Sequence, residues 1–179
     1  AQELEVNLQI RPRFEYRNGF KELMKDDFYP TSFVSQRSRM NFFYKQEKFK
    51  ANVSFQNIRV WGDVATTSPS DKNGIALFES WISYDFNTNW TAKFGRQVLS
   101  YDNQRIMGGI DWLQQGQSHD AVLVTNKKNG YQLDFGAALN NNNEALYESA
   151  YVTNYKNMQF IWFNQKLSKL SLSFLALNN

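Results

Sequence analysis

The chain has 179 residues, 42% of them hydrophobic and 21% charged, with a formal net charge of +3. This composition excludes a disordered chain, and the charge is too modest to argue for nucleic acid as a partner. The absence of cysteine removes disulfides, thiolate metal sites and thiol nucleophiles, and no apolar run approaches the roughly 18 residues of a helical membrane span.

The chain opens AQELEVN, with no basic segment followed by an apolar one. It therefore reads either as cytosolic or as an exported protein whose signal peptide has been removed, and an alanine directly ahead of a strand suits the second. Residues 4–17, LEVNLQIRPRFEYR, alternate. Leu4, Val6, Leu8, Ile10, Phe14 and Tyr16 take one side, and Glu5, Asn7, Gln9, Arg11, Arg13, Glu15 and Arg17 the other. Period two makes a β-strand with one apolar and one polar face. Pro12 lacks an N–H donor, which predicts a bulge or a missing ladder bond there.

Further strands are predicted at 33–45, 49–61, 75–86, 90–100, 118–126, 130–140, 156–165 and 169–178, with the first at 3–17. In the second, Met40 and Phe42 oppose Arg37, Arg39 and Asn41. In the third, Ala51, Val53 and Phe55 oppose Lys50, Asn52 and Gln56. The pattern then slips, so a bulge is predicted at Gln56–Asn57, returning Arg59 to the polar face. In the fourth, Phe78, Ser80 and Ile82 oppose Glu79 and Trp81. The fifth carries Lys93, and the seventh sets Asp134 against Leu133 and Phe135.

The connections alternate. Gln46–Lys48, Asn87–Asn89, Lys127–Asn129 and Lys166–Ser168 are short; Asn18–Ser32, Gly62–Gly74, Tyr101–Gln117 and Asn141–Tyr155 are long. An up-and-down meander puts all short turns on one rim and all long loops on the other, as outer-membrane barrels do. Strands of 9–11 residues or more cross a bilayer when tilted. Tyr44, Tyr84, Phe86, Trp90 and Tyr131 gather at the short turns, as an interfacial girdle would. The fold expectation is an all-β, antiparallel up-and-down transmembrane barrel in a single segment, 1–179, with about nine strands present. An odd count and unpaired edges imply part of a larger barrel. The alternatives are a soluble β-barrel or sandwich binding a hydrophobic ligand, and a non-conducting barrel that scaffolds a surface complex.

Several stretches carry a resemblance: RPRFEYRNGF (11–20), FVSQRSRMNFFY (33–44), NIRVWGD (57–63), SDKNGIALFESWISYDF (70–86), NYKNMQFIWFN (154–164) and above all GRQVLSYDNQRIMG…W…QGQSHDA within 93–122. They resemble the alginate-export-like porins of Bacteroidetes outer membranes. The resemblance implies an outer-membrane location, a many-stranded barrel of which this chain is the N-terminal portion, and a charged lumen. Contact with lipid and lipopolysaccharide, and with partner subunits in a surface complex, belongs to the same expectation. Fold likeness does not transfer a solute.

The predicted lumen-lining residues are Arg11, Arg13, Glu15, Arg37, Arg39, Asn52, Gln56, Arg59, Glu79, Lys93 and Asp134. The arginines read either as a ladder that attracts anions, acidic sugars included, or as a stiffening network neutralised by Glu5, Glu15 and Glu79. The loop after the fifth strand brings Arg96, Gln97, Tyr101, Asp102 and Arg105, then Trp112, Gln114, Gln115, His119 and Asp120. It is long enough either to constrict the lumen and hold a sugar against Trp112, or to pack on the wall. Ser118-His119-Asp120 is no triad, because neighbours on a strand point to opposite faces. Asp26-Asp27 and Asp71–Gly74 lack calcium-loop spacing, so neither metal nor cofactor is expected.

Overall fold

The computed structural model describes residues 2–19, 22–144, 146–147 and 155–179. They form one nine-stranded antiparallel sheet in sequence order. The strands are β1 (Gln2–Arg17), β2 (Thr31–Gln46), β3 (Phe49–Val60), β4 (Ala76–Asp85), β5 (Trp90–Gln97), β6 (His119–Lys128), β7 (Tyr131–Leu139), β8 (Asn157–Lys166) and β9 (Ser171–Asn178). All nine predicted strands are present, and short and long connections alternate between the two rims. Parts of two predicted long loops, residues 20–21 and 145 with 148–154, lie outside the described residues.

The register carries the alternation from strand to strand. Asn52 on β3 lies between Phe43 on β2 and Trp81 on β4, and the row continues through Gly95, Ala121, Ala138 and Met158. The adjacent positions, Val53 with Phe42 and Ser80, belong to the other face. That other face carries Leu8, Ile10, Phe14, Phe42, Phe55, Ile82, Phe94, Phe135 and Phe174, all exposed. At its short-turn end the aromatics pair: Tyr44 with Phe49, Tyr84 with Phe86 and Tyr131 with Phe163, at centroid distances of 5.5–6.3 Å.

Two local expectations are corrected. The β2–β3 register runs unbroken through Arg39↔Gln56 and Ser38↔Asn57, so no bulge lies at Gln56–Asn57. The irregularity is one strand on: Ser54 pairs with Glu79 but Phe55 with Leu77, leaving Phe78 as the extra residue on β4. An unpaired extra residue re-aims its side chain. Phe78 therefore joins Glu79 on the inner side, under the Arg39 guanidinium at 3.5 Å, and is not on the outward face with Ser80. Pro12 pairs with Gln36 with no bulge.

The inner face of β6–β9 carries an apolar cluster beside the buried Asp134. Ala121, Ala138, Met158 and Phe160 form a buried cluster with Leu99, Tyr101 and Met107 from the segment after β5. Phe160 fills the space above Gly136, its register partner. A Cβ at Gly136 would stand 2.1 Å from the Phe160 ring. Gly136→Val is therefore expected to displace Phe160 and cost about 1–3 kcal/mol by overpacking. Urea unfolding of the refolded protein in lipid vesicles measures it; unchanged stability would mean the ring does not occupy that place.

Candidate functional site

Register puts Arg11, Arg13, Glu15, Arg37, Arg39, Asn52, Gln56, Glu79, Lys93 and Asp134 on one face. Arg59 is not among them. It pairs with Gln36, the position out of phase with Arg37, and so takes the opposite face. There its guanidinium meets Asp71 of the loop at 61–75. The slip in hydrophobic pattern at Gln56–Asn57 is real, but the backbone does not slip with it. Instead Ile58 shares Arg37's side and Arg59 turns outward near the rim.

The same phase rule separates the loop residues. Arg96 lies between Ser80 and Asp120 on the outward face, bonded to Asp120 at 2.8 Å. Gln97 and His119 are one step out of phase and turn inward. Gln97 is fully buried and donates to the Ala121 carbonyl at 3.0 Å. His119 stacks on Tyr155, with Nδ1 2.6 Å from its hydroxyl.

Residues 98–118 cross the inner face as a strap with two differently held parts. The first part is anchored by apolar contact: Leu99, Tyr101 and Met107 lie in the buried cluster. The Tyr101 ring sits 5.3 Å from Phe160 and 4.9 Å from Trp162, and its hydroxyl donates to Asp134 at 3.0 Å. Asp102 accepts from Trp162 Nε1 at 3.1 Å and from Ser173 Oγ at 2.5 Å.

The second part is held by guanidinium groups. Arg11 donates to the carbonyls of Asp111 (2.6 Å) and Leu113 (2.7 Å) and to Gln114 Oε1 (3.1 Å). Arg13 donates to the Trp112 carbonyl at 2.9 Å. Arg37, 1% exposed, donates to Gln9 Oε1 at 2.5 Å, to Asp111 Oδ1 at 2.8 Å and to the Gln114 carbonyl at 3.3 Å. Gln114 in turn donates to Ser35 Oγ at 3.1 Å. Gln56 Nε2 donates to the Gln115 carbonyl at 3.0 Å, and Arg39 to Gln56 Oε1 at 2.6 Å. An irregular backbone leaves its carbonyls unpaired, and the planar five-donor fork of arginine answers that need. The strap bonds to β1 and β2 at one end and to β7, β8 and β9 at the other, so the sheet between them is curved and the strapped face is concave.

The arginines are thus bonded mainly to the protein's own strap. Of the expected acidic partners, Glu15 pairs with Arg13 and Arg17 at 2.8 and 2.7 Å. Glu5 accepts from Asn7, and Glu79 from the Val98 N–H and Trp81. Lys93 sits 3.9 Å over the Trp81 ring, while Arg105 and Trp112 lie on the strap's exposed side. Asp111, Gln9 and Phe78 are the residues that sequence reasoning misses. The available signal was Asp111 itself, the acid that follows Gly108-Gly109-Ile110 in the loop facing the basic strands.

A model of the family described as alginate export matches residues 2–139. The chain belongs to the alginate export family. Comparison with curated proteins returns no match. Members of the alginate export family are transport proteins, and the family together with the all-β fold points to the outer membrane. The strap and every arginine that holds it fall inside the matched alginate-export region; β8 and β9 lie beyond it.

Two outcomes follow. Arg37→Ala removes a charged donor from Gln9, Asp111 and the Gln114 carbonyl. It is expected to cost about 1.5–3 kcal/mol per charged hydrogen bond lost, less where water replaces the partner. Hydrogen exchange should then rise in 110–117 and not in 98–107; equal protection of both parts would refute the two-part strap. At the rim, the Asn73 backbone N–H foremost, with Arg59 and the Asn57 and Asn73 side chains, holds the Asp71 carboxyl below its ordinary value. That contribution is complete above the unfolded aspartate pKa of about 3.9. It is lost as pH falls through the lower folded value. Exchange of the 70–74 amides, followed down the acid range, is expected to rise only below the ordinary aspartate pKa in wild type, and Asp71→Asn to remove this step.

Proposed function

We propose that this chain contributes nine strands to the wall of a larger bacterial outer-membrane barrel, as its N-terminal portion, through which hydrophilic solutes pass passively. The observation that carries the reading is the division of the sheet. Its convex face is apolar with aromatic pairs at the short-turn end, as lipid contact requires. Its concave face holds arginine, lysine, amide and hydroxyl groups around a strap that narrows the passage. The uncovered edges of β1 and β9 support closure by further strands, because unpaired edges are untenable in lipid.

The conduit favours anions. Among the described residues, Arg11, Arg13, Arg37 and Arg39 outnumber the acids bonded to them, Glu15 and Asp111. Arg13, its side chain 40% exposed, is more open to the passage than Arg11 or Arg37. Acidic sugars suit such groups, with Trp112, 73% exposed, as a stacking face beside Arg13.

Planar-bilayer recording of the whole protein under a salt gradient tests this. The reversal potential is expected to lie toward the chloride side, and Arg13→Glu to move it toward the cation side. A silent bilayer would remove the channel; cation preference in the wild type would remove the anion reading and spare the channel.

A further inference from the structure

We propose that residues 110–117 are an internal occupant of the arginine site, which an anionic solute displaces by swinging this half of the strap about Gly108–Gly109. The proposal rests on the channel reading above.

The first observation is Asp111. Its carboxylate spans Arg37 at 2.8 Å and Arg11 at 3.5 Å, yet its own side chain is 69% exposed while Arg37 is 1% exposed. The acid reaches in from the open side and stands where the carboxylate of a solute would stand. Its neighbours fill the same guanidinium groups with neutral carbonyls. A polyanion offers charged acceptors instead, and charge-assisted bonds are the stronger ones.

The second observation is the division of the strap. Leu99, Tyr101 and Met107 are held by apolar packing, which an anion does not compete for. The arginine-held half begins immediately after Gly108–Gly109, so one half moves while the other stays.

The third is strain at that joint. Ile110 has φ +48°, the left-handed region, where a β-branched residue is a true outlier. Strain of this kind persists only where surroundings impose it, and it concentrates at switch segments. Release of the arginine contacts frees Ile110 to relax. At the far end Gly116, φ +67°, runs so close to Phe78 that a Cβ would lie 2.9 Å from its ring. Phe78 stands there because of the β4 bulge, so the seat for the closed segment is built into the sheet.

The test uses cysteines placed in this stretch of the whole protein, which has none of its own, with any cysteine elsewhere replaced by serine. In Gln114→Cys, labelling by a membrane-impermeant maleimide reads exposure of a side chain that is 3% exposed in the closed strap. Short polyacrylate is expected to accelerate labelling several-fold and neutral dextran of equal size to leave it unchanged. Adding Ile110→Gly, which removes the strain, should slow labelling. Ser35→Cys with Gln114→Cys, joined by a short bis-methanethiosulfonate, should hold conductance at a low level, and reductant should raise it. Labelling that ignores polyacrylate, or conductance equal with and without the bridge, would overturn the displaceable segment. If neither form conducts, the channel reading fails, and the labelling response alone decides the proposal.

Discussion

The carbonyls of residues 111–115 are the constraint on which the rest depends. An irregular segment lying against a sheet interior cannot leave them without donors. Four arginines on β1 and β2 supply those donors and bring their positive charge with them. Arg37 is tolerable as a deeply buried cation because Gln9, Asp111 and the Gln114 carbonyl accept from its guanidinium. A lysine could not do this, since a point charge with three donors does not match a planar array of acceptors. The basic character of the inner face is therefore first a solution to a backbone problem, and second a property that a solute meets.

The concave face is divided and the strap is divided to match. β1–β5 present mostly amide, hydroxyl and charged groups; β6–β9 present Leu123, Gly136, Ala138, Met158, Phe160 and Leu175, with Asp134 and Ser173 as polar points among them. Leu99, Tyr101 and Met107 lie against the apolar half, and Asp111, Gln114 and Gln115 against the polar half. The strap reaches β1 through Arg11 and β9 through Ser173, so it acts as a chord across the arc.

The strands and their order were legible because period-two patterning and loop length both survive in a single sequence. Nine strands, alternate rims and the inner positions from Arg11 to Asp134 follow from them. What failed was phase. Arg59 was counted inward by extending a bulge that the backbone does not contain, because a side-chain pattern cannot say which strand absorbs an extra residue. Arg96 and Asp120 were placed with the loop because they flank it, although each sits out of phase with its inward neighbour. Phe78 looked like one more apolar position until an unpaired register step turned it inward. The length of the loop announced that it could enter the lumen, but its anchors were not legible, because hydrogen bonds from side chains to distant carbonyls leave no local periodicity. Arg37 and Asp111 are 74 residues apart.

The outward pair Arg96–Asp120 has a consequence for the bilayer. On β1 the outward apolar positions run from Leu4 to Tyr16, about 40 Å of strand. On β5 they run only from Trp90 to Phe94 before Arg96 intervenes, about 13 Å of strand. A strand tilt near 45° reduces both heights by about a third, against a typical apolar band of about 25 Å. The hydrophobic wall is thus tall at β1 and low at β5–β6. Lipid against the low sector must thin, or its headgroups must descend to the ion pair, and either adjustment has a free-energy cost for each ångström of mismatch. In the proposed barrel the wall is therefore not equivalent around its circumference, and the β5–β6 sector is a thin-membrane side.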